Sequence, residues 1–244
     1  MADEGRGPKQ KGWQSSLLAG VGGIAVGALG VGSWQAWGGG GKVATEAVVH
    51  DYILDHGEIL QQAVDRLQQR QSASAAVQHR TALETPYHGA WAGAADGDVI
   101  LVEFFDYACP YCHATNGDVD RLLREDPRLK VVWRELPILG PNSQTAAYVS
   151  LGAARQGRFR AFHDRMFALG RPTDAILAQA TADAGVTREG ETREGHAELA
   201  SNFELFRALN VTGTPTFVIG GQVLEGAVGY EALKRAIAAA RGRG

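Results

Sequence analysis

Cys109-Pro110-Tyr111-Cys112 holds the chain's only two cysteines at i and i+3. If Cys109 opens a helix, its sulfur faces unpaired backbone N–H groups and the positive end of the helix dipole. That setting favours the thiolate and lowers the cysteine pKa. Pro110 suits the first helical position, where its missing N–H costs nothing. Cys112 then lies one turn in, on the same face. The expected result is an exposed nucleophile and a recessed resolving thiol that interchange dithiol and disulfide. A purely structural bridge explains the pair poorly, because closing so short a loop constrains the unfolded chain by only roughly 2 kcal/mol. His113 completes a CxxCH, the attachment pattern of a c-type haem, with Met166 available as a second axial ligand. The buried-type strand just before the motif and the proline inside it favour thiol chemistry over haem. Two cysteines and His113 leave a zinc site without a fourth ligand, so no metal is expected.

Two further features carry chemistry. Glu103 lies inside the apolar run Val99-Ile100-Leu101-Val102-Glu103-Phe104-Phe105. A carboxyl is costly to bury there, and near the base of the motif it could carry protons for Cys112. Thr214-Pro215 stands directly before a short apolar strand. A cis bond at that proline would present the Thr214 backbone as an edge for an extended peptide.

The elements that position these residues form an α/β pattern. Residues 99–105 read as a strand buried on both faces. A helix follows from Cys109 to about Glu125, with Val119, Leu122 and Leu123 on its apolar side, and Leu129 to Leu136 reads as a second strand. Strand, helix, strand in so short a span is a βαβ unit with parallel strands. Residues 142–209 read as helical throughout. Ser143 is expected to cap a helix running to Gln156. Phe159, Phe162, Met166 and Phe167 mark another helix, Thr173 caps a third ending at Gly185, and Leu199, Phe203, Phe206 and Leu209 mark a fourth. The chain closes with a strand Thr216 to Ile219, a turn at Gly220-Gly221, a partner strand Gln222 to Glu225, and a helix from Tyr230 to about Ala240. One sheet with helices on both faces accounts for this order. Ser72 to Asp98 is expected to be a connector with a short edge strand.

The N-terminal part differs in composition. Thirteen of the 32 glycines fall in the first 41 positions, and no charge occurs between Lys11 and Lys42. Residues 13–37 are apolar and small, long enough to span a bilayer at about 20 residues, with Trp13 at one edge and Trp34 and Trp37 at the other. They are expected to be a transmembrane anchor, or a signal peptide cleaved near Ser33. Residues 1–12, with Arg6, Lys9 and Lys11, form a cytoplasmic tail in the anchored reading. Residues 38–43 are a glycine linker. Residues 44–84 are set apart as a helical region, with helix read over 44–71, where Val49, Ile53, Leu60, Val64 and Leu67 make one stripe and Gly57 a break. Residues 44–71 either pack on their own domain or join copies into a homo-oligomer. The net charge of −3 argues against a nucleic-acid partner.

Glu103-Phe104-Phe105-Asp106-Tyr107-Ala108-Cys109-Pro110-Tyr111-Cys112, together with Gly213-Thr214-Pro215-Thr216-Phe217-Val218, resembles the DsbA-type branch of the thioredoxin-fold family. The resemblance implies a thioredoxin-like domain over residues 85–244, with a helical insertion at about 141–209. It implies that Pro215 is cis and packs against a redox-active Cys109–Cys112 disulfide, the sole redox centre, and that Glu103 is the buried acid. Pro110, Tyr111, His113 and Thr214 would support the site and bind substrate. Residues 44–71 also resemble the N-terminal helices of exported DsbA-like bacterial proteins. The implied activity is a thiol–disulfide oxidoreductase of the bacterial envelope, anchored in the inner membrane with its catalytic domain in the periplasm, or soluble there after cleavage. It would act on exported proteins with cysteines and exchange electrons with a membrane redox partner. A disulfide donor is the leading expectation, and an isomerase or reductase, or a redox-silent chaperone, are the alternatives. The central dipeptide is Pro-Tyr where the best-known oxidases of the group have Pro-His, and Thr214 replaces their valine. Both positions contact the sulfurs and tune the redox potential.

Overall fold

The structure, a computed structural model, describes residues 45–189 and 191–242. The tail, the apolar stretch 13–37 and the glycine linker lie outside the described residues. No described helix is long and apolar enough to cross a membrane. The chain parts into two units, Met1–Val64 and Asp65–Gly244.

Residues 45–55 are helical, residues 56–57 form a turn, and helix α1 spans Glu58–Gln78. The turn falls where Gly57 was expected to break the helix. Val49, Ile53, Leu60, Val64 and Leu67 are all exposed. Helix α1 runs well past Gln71, and α2 (Arg80–Glu84) follows, so the expected connector is helical in its first part. The reason is the run Ser72-Ala73-Ser74-Ala75-Ala76. Alanine is the strongest helix former, and Ser72 and Ala76, one turn apart, are small enough to be buried. Small residues carry little amphipathic signal, which hid the helix in the sequence.

Next come β1 (Trp91–Gly93), β2 (Val99–Phe105), α3 (Pro110–Glu125) and β3 (Leu129–Glu135). Four helices then occupy the long middle segment: α4 (Pro141–Arg155), α5 (Phe159–Leu169), α6 (Asp174–Asp183) and α7 (Arg193–Ala208). Strands β4 (Thr216–Ile219) and β5 (Gln222–Glu225) and helix α8 (Tyr230–Arg241) close the fold. Thr173 caps α6 as expected, its side chain accepting from the Ile176 N–H. Ser143 does not cap α4. That helix starts earlier, with Pro141 in its first turn and Gly140 at the cap with φ 113°. Proline is preorganised for that position, and only glycine adopts such a φ freely. Ser143 is therefore buried inside the helix, and its Oγ has no hydrogen-bond partner.

The five strands lie in the order β1-β3-β2-β4-β5. Strands β2 and β3 are parallel, paired Val99 with Leu129 through Phe105 with Glu135. Strand β4 runs antiparallel to β2, with Glu103 opposite Phe217. Side chains alternate between faces. Leu101, Phe105, Val131, Trp133 and Phe217 join the core beneath α3, α4, α5, α6 and α8. Val102, Phe104, Val132 and Val218 join a second core with Ala76, Leu83, Leu205 and Phe206 from α1, α2 and α7. The sheet is thus covered on both sides, and Glu103 falls on the α3 face.

Candidate active site

Parallel β2 and β3 bring their C-terminal ends side by side, and antiparallel β4 begins at the same end. Cys109, the loop after β3, and Thr214-Pro215 therefore converge at one end of the sheet's three inner strands. Cys109 is the N-cap of α3, with extended backbone, and Pro110 is in the first turn. The Thr214–Pro215 peptide is cis. Cys109 Sγ lies 3.2 Å from the Thr214 carbonyl oxygen and, as the thiol, donates to it. Both cysteines are free thiols. Cys109 is 3% exposed and Cys112 fully buried. The nucleophile is thus less open than expected, because the Thr214 carbonyl lies against its sulfur. Tyr111 between them is 64% exposed.

The two thiols are electrically unlike. Cys109 is drawn down to about 5 by the Cys112 thiol, then by the Thr214 side chain and the N–H groups of Cys112 and Tyr111, against the opposing effect of burial. Cys112 is pushed far up, first by burial, then by donating its proton to Cys109 and by the charge of Glu103. Glu103 is 2% exposed and takes a hydrogen bond from the Trp133 indole Nε1 at 2.9 Å. Burial raises its pKa to about 8, opposed by that hydrogen bond; Asp120 pushes it up and Arg160 pulls it down. A neutral acid at pH 7 beside a thiol of high proton affinity has a proton to give.

Asp106 fixes the turn that leads into the motif. Its Oδ1 accepts from the Ala108 N–H at 2.8 Å, and its carbonyl from the Cys109 N–H at 3.0 Å. Its Oδ2 accepts from the N–H groups of Ile138 and Leu139 at 2.9 and 3.0 Å. One carboxylate thus ties the nucleophile's approach to the loop carrying two exposed apolar side chains, Ile138 and Leu139. His113 Nε2 donates to the Tyr107 carbonyl at 2.7 Å, and its ring meets Phe167 edge-on. Its role here is to brace the first turn of α3, while Met166 is buried in the core. Among the described residues, no three or more His, Cys, Asp or Glu side chains gather as metal ligands would.

The profile of the DSBA-like thioredoxin domain matches residues 100–238. The chain belongs to the DSBA-like thioredoxin domain family. A second profile, the N-terminal domain of the copper resistance protein ScsC, matches residues 42–74. The Na+/H+ antiporter NhaA 3 of Salinispora tropica is 33% identical over 156 residues, which is 61% of this chain and 24% of the antiporter. The chain thus spans about a quarter of the length of the curated relatives it first matches. Disulfide bond formation protein D of Bacillus subtilis is 24% identical over 163 residues, 59% of this chain and 73% of that protein. Among solved structures, a linker-deleted variant of Proteus mirabilis ScsC shares 27% identity at a TM-score of 0.71, over 83% of this chain and 96% of that one.

In this DSBA-like domain, the side chains expected at the site lie at that end of the sheet, on β2 or in the first turn of α3. Sequence reasoning missed three residues there. Trp133 was legible in principle: pairing the two seven-residue strands from their first residues puts it opposite Glu103. Asp106 had the signal of an acidic turn residue at a strand exit, whose side chain bonds the backbone two residues on. Arg160 reaches the site from the helical insertion and carried no local signal.

Proposed function

We propose that this chain is a thiol–disulfide oxidoreductase of the bacterial envelope that donates the Cys109–Cys112 disulfide to cysteines of exported proteins. The split between the two thiols carries the reading. A Cys109 thiol held at about 5 is ionised at neutral pH, which stabilises the reduced pair and makes the disulfide a better oxidant. A substrate thiolate attacks Cys109 Sγ and breaks its bond to Cys112. Cys112 leaves with the electron pair and takes the proton of neutral Glu103, which regains one from solvent. A second substrate thiolate then attacks the substrate sulfur of the mixed disulfide and expels Cys109 as thiolate. In the reverse direction Cys112 gives its proton to the Glu103 carboxylate, attacks Cys109 Sγ and releases the substrate as thiolate. The substrate loses two electrons and the CxxC gains them. Thr214 and Pro215 offer backbone to an extended substrate, Pro110 and His113 hold the helix start, and Tyr111, Ile138 and Leu139 give an apolar rim. A membrane redox partner reoxidises the pair, and residues 13–37 export the domain, as anchor or as signal.

Equilibration in glutathione buffers tests the direction. Thiol pKa values near 3.5 and 7 accompany potentials of about −120 and −270 mV in DsbA and thioredoxin, so a value of about 5 interpolates to roughly −180 mV. That still exceeds structural disulfides, which lie below about −300 mV, so electrons flow from substrate to this pair. A potential at or below about −270 mV removes the donor reading.

A second reading, an oligomeric isomerase or reductase kept reduced by its partner, draws support from the exposed stripe Val49, Ile53, Leu60, Val64 and Leu67 and from the ScsC-like match at residues 42–74. Light scattering on the whole protein and on an Ile53→Glu/Leu60→Glu variant tests it. A wild-type monomer rules it out.

A further inference from the structure

We propose that Arg160, on the helical insertion, is a positioning residue for proton transfer at Glu103: it braces the Trp133 indole that holds the carboxyl and, against Asp120, fixes the charge the carboxyl faces. The proposal rests on the role of Glu103 given above and extends it to the insertion.

The geometry runs through three side chains on three elements. Trp133 Nε1 donates to Glu103 Oε2 at 2.9 Å. The Arg160 guanidinium carbon lies 5.0 Å from the centre of the Trp133 ring, a cation–π contact. Arg160 Nη2 meets Asp120 Oδ1 at 2.5 Å, and its Nε meets Asp164. Its Nη1 is buried with no hydrogen-bond partner.

The groups around Glu103 can be named element by element. From α3 come Cys109, Cys112 and Asp120; from β3, Trp133; from α5, Arg160; from β4, the uncharged Phe217. His163 lies against the Trp133 ring at 4.8 Å between centroids, and burial drives its proton affinity well below the usual value, so it stays neutral. Asp164 is engaged with Arg160. Asp120 and Arg160 therefore act on Glu103 in opposite directions, and each restrains the other. Asp120 belongs to the active-site helix and Arg160 to the insertion, so the ion pair couples the inserted helices to the reacting thiols.

The test follows the Trp133 indole N–H resonance against pH in the whole protein with Cys109 and Cys112 disulfide-bonded, so that neither thiol titrates. The same variants are then assayed for the pH dependence of mixed-disulfide release by Cys112. Arg160→Met removes a cation and raises both midpoints by roughly half a pH unit or more. Asp120→Asn frees Arg160 and lowers both. Arg160→Lys keeps the charge and restores most of the wild-type midpoint. Glu103→Gln abolishes the indole step. If it does so while Arg160→Met and Asp120→Asn leave the midpoints unmoved, the role of Arg160 is overturned and that of Glu103 stands. If the indole step and the release profile both survive Glu103→Gln, the role of Glu103 itself falls. Asp120→Asn and Arg160→Lys keep the question open to measurement should Arg160→Met not fold.

Discussion

Two buried ionisable side chains sit on adjacent strands, nearly side by side, and point to opposite faces of the sheet. Glu103 lies opposite Trp133, and Arg134 is the next residue along β3. Arg134 is almost fully bonded. Its Nε donates to the Leu83 carbonyl, its Nη2 to the carbonyls of Ala82 and Thr85, and its Nη1 to Asn202 and Glu198. Three of those acceptors are carbonyls at the C-terminal end of α2, where a cation is favoured. Glu103 has an indole N–H as its donor, and the charges it feels, Asp120 and Arg160, pair with each other. Burial lowers the Arg134 pKa and raises that of Glu103 to about 8. Arginine stays charged regardless, because its ordinary value is so high, while the carboxyl is moved into the range where it exchanges protons. The contrast separates a charge held for structure from one left able to react.

Removing Arg134 gives the largest expected effect. Arg134→Met leaves the Glu198 carboxylate, the Asn202 amide and the end of α2 without their donor, on a face that excludes water. Breaking a buried pair from one side costs about 3–5 kcal/mol. Urea unfolding should show that loss, while the Cys109 thiolate absorbance of the folded protein still titrates near 5. A loss under about 1 kcal/mol, or a displaced Cys109 titration, would merge the two charges into one network.

Glu103→Gln should act in the opposite sense. The folded carboxyl keeps its proton up to about pH 8, whereas the unfolded one loses it near 4.5. Between those values the unfolded chain binds fewer protons, so the wild-type protein loses stability as pH rises through that window. Glutamine cannot ionise and removes the slope. The gain is absent near pH 4 and on the order of 5 kcal/mol at pH 9. The same change slows Cys112-dependent release of the mixed disulfide by about 10²-fold. Arg134→Met thus changes stability at constant chemistry, while Glu103→Gln slows the chemistry and raises stability above about pH 5. An unaltered stability–pH curve would show that Glu103 is not titrating in this window.

The two charges differ in legibility for the same physical reason. Glu103 stood out because it interrupts an apolar run and is followed at fixed spacing by CxxC. Arg134 lies in Leu129-Lys130-Val131-Val132-Trp133-Arg134-Glu135, where a basic residue near a strand end reads as an ordinary solvated one. Its burial is decided by α2 and α7, far away in sequence. The expected thioredoxin order of strands and helices was visible because each element carries its own period and turn residues. The small-residue half of α1 was not, since Ser72 and Ala76 pack by being small. The same limit applies to the ion pair between Asp120 and Arg160, made by two helices forty residues apart. Local patterns show which residues can react, and tertiary contacts decide which of them are restrained.

The smallest expected effect tests the link between the two strands. Trp133→Phe keeps an aromatic ring, though a smaller one, and removes the N–H that favours the Glu103 carboxylate. Without that donor the carboxyl holds its proton more tightly, so its midpoint climbs above the present value of about 8. One hydrogen bond is worth about 1 kcal/mol, which corresponds to roughly 0.7 pH unit. The pH window over which stability falls should then reach further into the alkaline range, read by thermal unfolding from pH 5 to 10. Below about pH 5 the remaining loss is that of the smaller ring's packing, which is the same at every pH. An unmoved upper limit would mean that burial alone sets the proton affinity of Glu103. The distinction from Arg134 would then lie in the chemistry of the two side chains and no longer in how fully each is bonded.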